Sequence, residues 1–174
     1  MVVRMMDPQE LPILANIYVV AIKSAIPGAV PDRLRNDFSM DRALRRLGEV
    51  LAMGAQQPFC YVGQMADKIA GFIIGSLAEH PSMRYQGELK VLYILPDYQR
   101  LGLGRTLVYA AVNHFLQMSV NSMFVEMFQD NIPAGKFYQS LGGILIGERS
   151  DTIHGERCTM SWYGWPSISH ITPF

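Results

Sequence analysis

The feature that most constrains this chain is a glycine-rich turn, Gln99-Arg100-Leu101-Gly102-Leu103-Gly104, set between a strand and a helix. Residues 89–95, rich in β-branched and aromatic side chains, read as the strand, and Pro96 and Asp97 end it. Residues 105–119 contain neither Gly nor Pro. Leu103, Leu107, Ala111 and Phe115 recur at the spacing of a helix that buries one stripe. Such a turn leaves backbone N–H groups unpaired at the positive end of the helix dipole, which is a place for phosphate. Gly102 and Gly104 let the backbone approach a ligand that any β-carbon would hold away. Gln99, Arg100 and Arg105 add donors around the same turn.

Other phosphate motifs fail on inspection. A dinucleotide fingerprint needs a third small residue where Leu107 stands. Gly104-Arg105-Thr106 imitates the end of a nucleotide P-loop, but Gln99 occupies the place of its first glycine. A second segment lies downstream, Asn131-x-x-Ala134-x-x-Phe137-Tyr138-x-x-x-Gly142. Together the two segments resemble the GNAT superfamily of N-acetyltransferases, whose signature is Gln/Arg-x-x-Gly-x-Gly/Ala after a strand. Gln99, Gly102 and Gly104 stand at the signature positions. One departure is Gly143, where the family usually has an aromatic residue; it bears on local packing more than on chemistry.

The resemblance implies an α/β (α+β) fold: a mixed, mostly antiparallel sheet of about seven strands flanked by about four helices, in a single domain over residues 1–174. Two central parallel strands splay apart, with acetyl-CoA wedged between them. Backbone groups near Tyr93 and Ile94 would lie along the pantetheine arm like a sheet edge. The N–H groups of Gln99, Arg100, Leu101, Gly102, Leu103, Gly104 and Arg105 would cradle the pyrophosphate. Asn131 matches a position that helps hold the pantetheine, caps its own helix, or does both. Tyr138 matches the family's general acid, whose hydroxyl points at the thioester sulfur; with an ordinary pKa of about 10 it needs no tuning to donate. The backbone N–H near Ile94 is the implied oxyanion donor. The base stays open between Glu88 at the start of the central strand, Glu126 in the next strand, and water.

The activity implied is direct transfer of acetyl from acetyl-CoA to a primary amine of a small molecule or peptide, in a ternary complex. A non-catalytic acyl-CoA-binding module for sensing or assembly is the other reading. Tyr138 favours the enzyme, because a module that only binds has no need of an acid beside the sulfur.

With 174 residues, 49% hydrophobic and 17% charged, the chain is long and apolar enough for a real core. Fifteen basic and fifteen acidic residues give no global pull towards nucleic acid or membrane, and leave a homodimer open. Cys60 and Cys158 lack metal or disulfide spacing and read as buried reduced thiols of a cytoplasmic protein. His114 falls on the central helix, and His80, His154 and His170 in loops or a turn. None has a partner at ligand spacing, so no metal is expected.

Near the N-terminus, Arg4 and the apolar run 11–22 imitate a signal peptide, but Asp7 and Glu10 oppose it. The better reading is a capped helix over 7–25, with Asp7 as N-cap, Pro8 in the first turn and Glu10 completing a capping box. After a break at 26–31, a second helix spans 32–54, interrupted near Phe38 with Ser39 capping a second piece. Arg33, Arg35, Arg42, Arg45 and Arg46 crowd there, as a solvated face or as a site for an acidic acceptor or the cofactor's phosphates. Strands are expected at 2–6, 59–63, 69–76, 122–128, 144–149 and 157–163, and a helix at 131–141. The 162–174 tail holds both tryptophans, with no packing partner indicated.

Overall fold

A computed structural model of the chain describes residues 1–79, 84–153 and 155–171. Seven strands form one sheet: β1 Val2–Met5, β2 Phe59–Met65, β3 Lys68–Leu77, β4 Gly87–Ile94, β5 Met123–Phe128, β6 Ile144–Ile153 and β7 Glu156–Trp165. Their order is β1-β2-β3-β4-β5-β7-β6, and every neighbouring pair is antiparallel except β4 and β5. Five α-helices accompany the sheet among the described residues: α1 Leu11–Lys23, α2 Asp32–Asp37, α3 Met40–Leu51, α4 Leu103–Gln117 and α5 Ile132–Ser140. One more helix is present than the family resemblance implies, because the second helical region is divided. Phe38 turns extended (φ −73°, ψ 118°) and buries its ring, and Ser39 accepts the Arg42 N–H to start α3.

The N-terminal capping box is present: Asp7 accepts from Gln9 N, and the Glu10 carboxylate accepts from Asp7 N at 2.8 Å. It closes a short turn, Pro8–Glu10, that leads into α1. Two apolar clusters sandwich the sheet. One joins α1 and α3 to the face carrying Val62, Phe72, Ile74 and Val91. The other joins α4 and α5 to the face carrying Ile73, Leu89, Met123 and Val125.

The central feature is a short parallel ladder. β4 and β5 pair only at Gly87↔Met123, Glu88↔Phe124 and Leu89↔Val125. Immediately beyond, a register shift in the β3–β4 ladder skips Lys90, pairing Gly75 with Leu89 and Ile74 with Val91. The bulge bends β4 away from its parallel neighbour. Both strands run on, β4 still held by β3 and β5 by β7, so the sheet opens at their carboxyl ends.

The tail finds its place through Trp165, which ends β7 fully buried, with Nε1 donating to Leu141 O at 2.9 Å. Ile168 and Ile171 bury behind it. Gly143 is explained by the same ring. A β-carbon there would stand 2.7 Å from Trp165 Cζ2 and 2.9 Å from Tyr138 O, so an indole from β7 fills the space. The last hairpin is longer than expected, since its strands run to Ile153 and from Glu156, turning at Gly155 (φ +77°). Cys60 is buried, its thiol pushed up to about 12 by burial, whereas Cys158 is only half-buried and not buried as expected; both are free thiols.

Candidate active site

The opening between β4 and β5 is framed by α4 on one side and α5 on the other. Alternation along β4 decides which backbone groups face it. Leu95 N–H donates to Ala70 O at 2.8 Å on β3, so Tyr93 directs its own N–H and C=O to β3 as well. Leu92 and Ile94 therefore turn theirs towards β5, past the last rung of the parallel ladder. Of the two residues named from the sequence, Ile94 presents backbone to the opening and Tyr93 presents its side chain to the α1–α3 face.

Past Ile94 the chain makes a tight turn, Pro96–Tyr98, and Gln99 Nε2 donates back to Ile94 O at 3.1 Å. Arg100 (φ +62°) and Gly102 (φ +86°) both adopt left-handed backbone, which glycine takes freely and arginine does not. Gly102 is the N-cap of α4 and has no side chain to satisfy the first turn. The first amide of α4 with a partner inside the turn is Thr106 N, on Gly102 O at 3.1 Å. The N–H groups of Leu103, Gly104 and Arg105 precede it at the positive end of a 15-residue helix. Arg100 and Leu101 are exposed beside them, while Leu103 is buried in the core. The two glycines differ in role. Open space surrounds Gly102, but a β-carbon on Gly104 would lie 3.1 Å from Ile94 Cδ1 and 3.3 Å from Phe137 Cζ.

α5 brings the other wall. Asn131 caps it, with Oδ1 accepting Ala134 N–H at 3.3 Å. Tyr138 is buried, its ring edge-on to Trp165 at 6.0 Å and to Phe137 at 5.3 Å. Burial pushes its pKa well above the ordinary tyrosine value.

Carboxylates mark the opposite face. Glu88 sits in the parallel ladder with its Oε2 2.6 Å from Lys90 Nζ, and Lys90 reaches Glu79 at 3.6 Å. Burial raises the Glu88 pKa; Lys90 opposes this, and Glu79 and Glu126 add to it. Glu126 is tied down. Arg149 contacts both its oxygens at 2.7 and 3.1 Å, and Trp162 Nε1 donates to it at 2.7 Å. Arg149, Trp162, Trp165 and Lys90 were not singled out in the sequence. Only the β5–β7–β6 register brings the first three to the site.

His114 packs on Phe59 at 4.0 Å between ring centroids, with Nδ1 3.1 Å from Tyr61 Oη, as a packing residue of α4. His80 and His154 lie outside the described residues, and His170 is exposed. No group of His, Cys, Asp or Glu among the described residues is arranged to hold a metal ion.

Residues 30–143 match the Acetyltransferase (GNAT) family. The chain belongs to that family. Acetyl-CoA is the co-substrate of GNAT proteins, and the donor set here suits it. An uncapped helix N-terminus faces outward at one end of the opening, and strand-edge amides continue from it. The chain is 36% identical over 87 residues to the uncharacterised N-acetyltransferase YuaI of Bacillus subtilis, a match covering 50% of each. It thus spans half the length of that relative. In fold it is similar to the ribosomal-protein-alanine N-acetyltransferase of Brucella melitensis (TM-score 0.73, 16% identity, covering 95% of this chain and 99% of that one). It is similar too to yncA of Salmonella typhimurium, solved with its cofactor acetyl-CoA (TM-score 0.69, 17% identity, covering 100% and 98%). No helix among the described residues is long and apolar enough to cross a membrane.

Proposed function

We propose that this GNAT protein is an N-acetyltransferase of the cytoplasm that moves acetyl from acetyl-CoA to a primary amine of a small molecule or peptide, directly, in a ternary complex. The observation that carries the reading is the opening beyond Leu89 with Tyr138 buried at its wall and the bare N-terminus of α4 at its end. When bound, acetyl-CoA supplies an activated thioester. The residues supply everything else. First-turn amides of α4 would hold its phosphates, the β4 edge at Leu92 and Ile94 would line up its pantetheine arm, and an amide there would supply a donor for the oxyanion. Glu88, with its proton affinity raised by burial, receives the amine proton directly or through water. Glu126 is a poor second candidate, because Arg149 and Trp162 already use its oxygens. Tyr138 donates to the departing sulfur, and its raised pKa keeps that proton in place across the neutral and alkaline range.

Tyr138→Phe tests the reading. It keeps the ring against Trp165 and deletes the proton. The expected result is unchanged melting, acetyl-CoA affinity within a few-fold, and kcat and kcat/KM falling together by about 10²–10⁴-fold. A fully active variant removes the hydroxyl from the mechanism. Wild-type protein that binds acetyl-CoA and acetylates nothing across amino acids, polyamines, aminoglycosides and peptides is a binding module instead.

A further inference from the structure

Lys90 stands between two carboxylates, and the proposed transfer engages only Glu88. Its Nζ is 2.6 Å from Glu88 Oε2 and 3.6 Å from Glu79 Oε1. Glu79 follows the end of β3, where the backbone is pinned by Ala78 N–H donating to Gln86 O at 2.9 Å. Its side chain is 33% exposed against 16% for Glu88, so Glu79 is the partner nearer to water. Lys90 itself is the residue that the β3–β4 ladder skips. A compact ammonium on a flexible four-carbon stem can change partners with no bidentate geometry to break. The charges do not balance. Among the described residues one ammonium serves both carboxylates, one cation against two anions. Glu126, just past the last rung of the parallel ladder on β5, adds to the negative side, but Arg149 and Trp162 already hold its oxygens.

We propose that Lys90 and Glu79 are positioning residues of the transfer: Lys90 is the counter-ion that Glu88 holds until an acceptor arrives, and it passes to Glu79 when the acceptor's ammonium takes its place. The inference rests on the acetyltransferase reading, with Glu88 as base, and names how the amine is admitted. An alkyl amine resembles the lysine side chain, with a pKa of about 10.4, and so arrives at neutral pH as an ammonium. Two ammonium groups at one carboxylate repel each other at contact distance. Closing the 3.6 Å contact while opening the 2.6 Å one removes that conflict and leaves an ion pair at each carboxylate. The acceptor's charge then balances the trio. Glu88 next takes one proton from the acceptor nitrogen, whose lone pair is left free to attack the thioester carbon. Lys90 keeps all its protons throughout.

The test follows CoA release with the best-used amine of the panel above, at a pH above the acidic limb. It compares wild type, Glu79→Gln, and the double variant that adds Lys90→Gln. Without its second partner, Lys90 stays on Glu88. Glu79→Gln should therefore raise KM for the amine by about 10-fold, the size of one charge-assisted contact, with kcat less changed. Loss of a negative neighbour should also move the acidic limb to lower pH. Melting temperature and acetyl-CoA affinity should stay at wild-type values. The double variant clears the cation from Glu88 and should recover most of the lost KM, a rescue that a merely structural role of Glu79 would not give. A Glu79→Gln variant with wild-type KM, or a double variant no better than the single, overturns the inference and leaves the acetyltransferase reading standing. Acetyl-CoA binding with no turnover of any amine overturns both.

Discussion

Glu88 shows how a single residue's chemistry is set by neighbours that no motif contains. Its carboxyl is half-buried, which favours the protonated form; Lys90 at 2.6 Å favours the charged one, and Glu126 opposes it again. A base must be ionised, so kcat/KM should fall as pH drops through a Glu88 pKa that stands above the ordinary carboxylate range. The sign of two substitutions follows. Glu126→Gln removes a negative neighbour and should move the acidic limb to lower pH. Lys90→Gln removes the cation and should move it to higher pH. Limbs that stay fixed in both variants would assign the proton to water. Glu88 was legible in the sequence as a carboxylate at the head of the central strand. Its tuning was not, because Lys90 reaches it through the skipped residue in the β3–β4 ladder, and Arg149 reaches Glu126 from the sheet's far edge.

At the scale of an element, the turn before α4 is legible as a strand-to-helix junction, since the local signals are strong: Pro96, the paired glycines and the four-residue apolar stripe. The split of the second helical region at Phe38 and Ser39 and the Asp7 capping box were legible for the same reason, being written within a few residues. The purpose of Gly104 was not. The sequence suggested room for a ligand, and the structure fills that room with Ile94 and Phe137. Gly104→Ala should therefore act first on packing, with the crowding of Ile94 and Phe137 outweighing the roughly 1 kcal/mol that alanine gains over glycine within a helix, so that denaturant unfolding shifts to lower concentration. It should also lower kcat, because Phe137 stands beside Tyr138. An alanine variant with wild-type unfolding and weakened acetyl-CoA binding would return Gly104 to the role first read for it. Trp165 makes the same point from the other side. Its indole occupies the space over Gly143, a contact between residues far apart in the chain that only the β5–β7 pairing creates.

For the whole molecule, the sheet is two half-sheets, β1–β4 and β5–β7–β6, joined by a three-rung parallel ladder and by the cluster under α4. A ligand laid along the open edge of β4 would add contacts where the ladder stops, and anything that binds only the folded state raises its stability by mass action. At a ligand concentration of 100 times Kd the gain is about 2.7 kcal/mol. For a chain of this length that corresponds to a rise in Tm of about 5–11 °C. Acetyl-CoA should produce such a rise in thermal unfolding. The place of binding separates this account from a generic one. The amides of Leu92 and Ile94 face the opening, while that of Leu95 is already bonded to Ala70. Hydrogen exchange measured with and without acetyl-CoA should therefore slow at Leu92 and Ile94, and at the first-turn amides Leu103 to Arg105, with little change at Leu95. A rise in Tm without protection at those amides would place the ligand elsewhere on the protein and break the link between the splayed strands and the co-substrate.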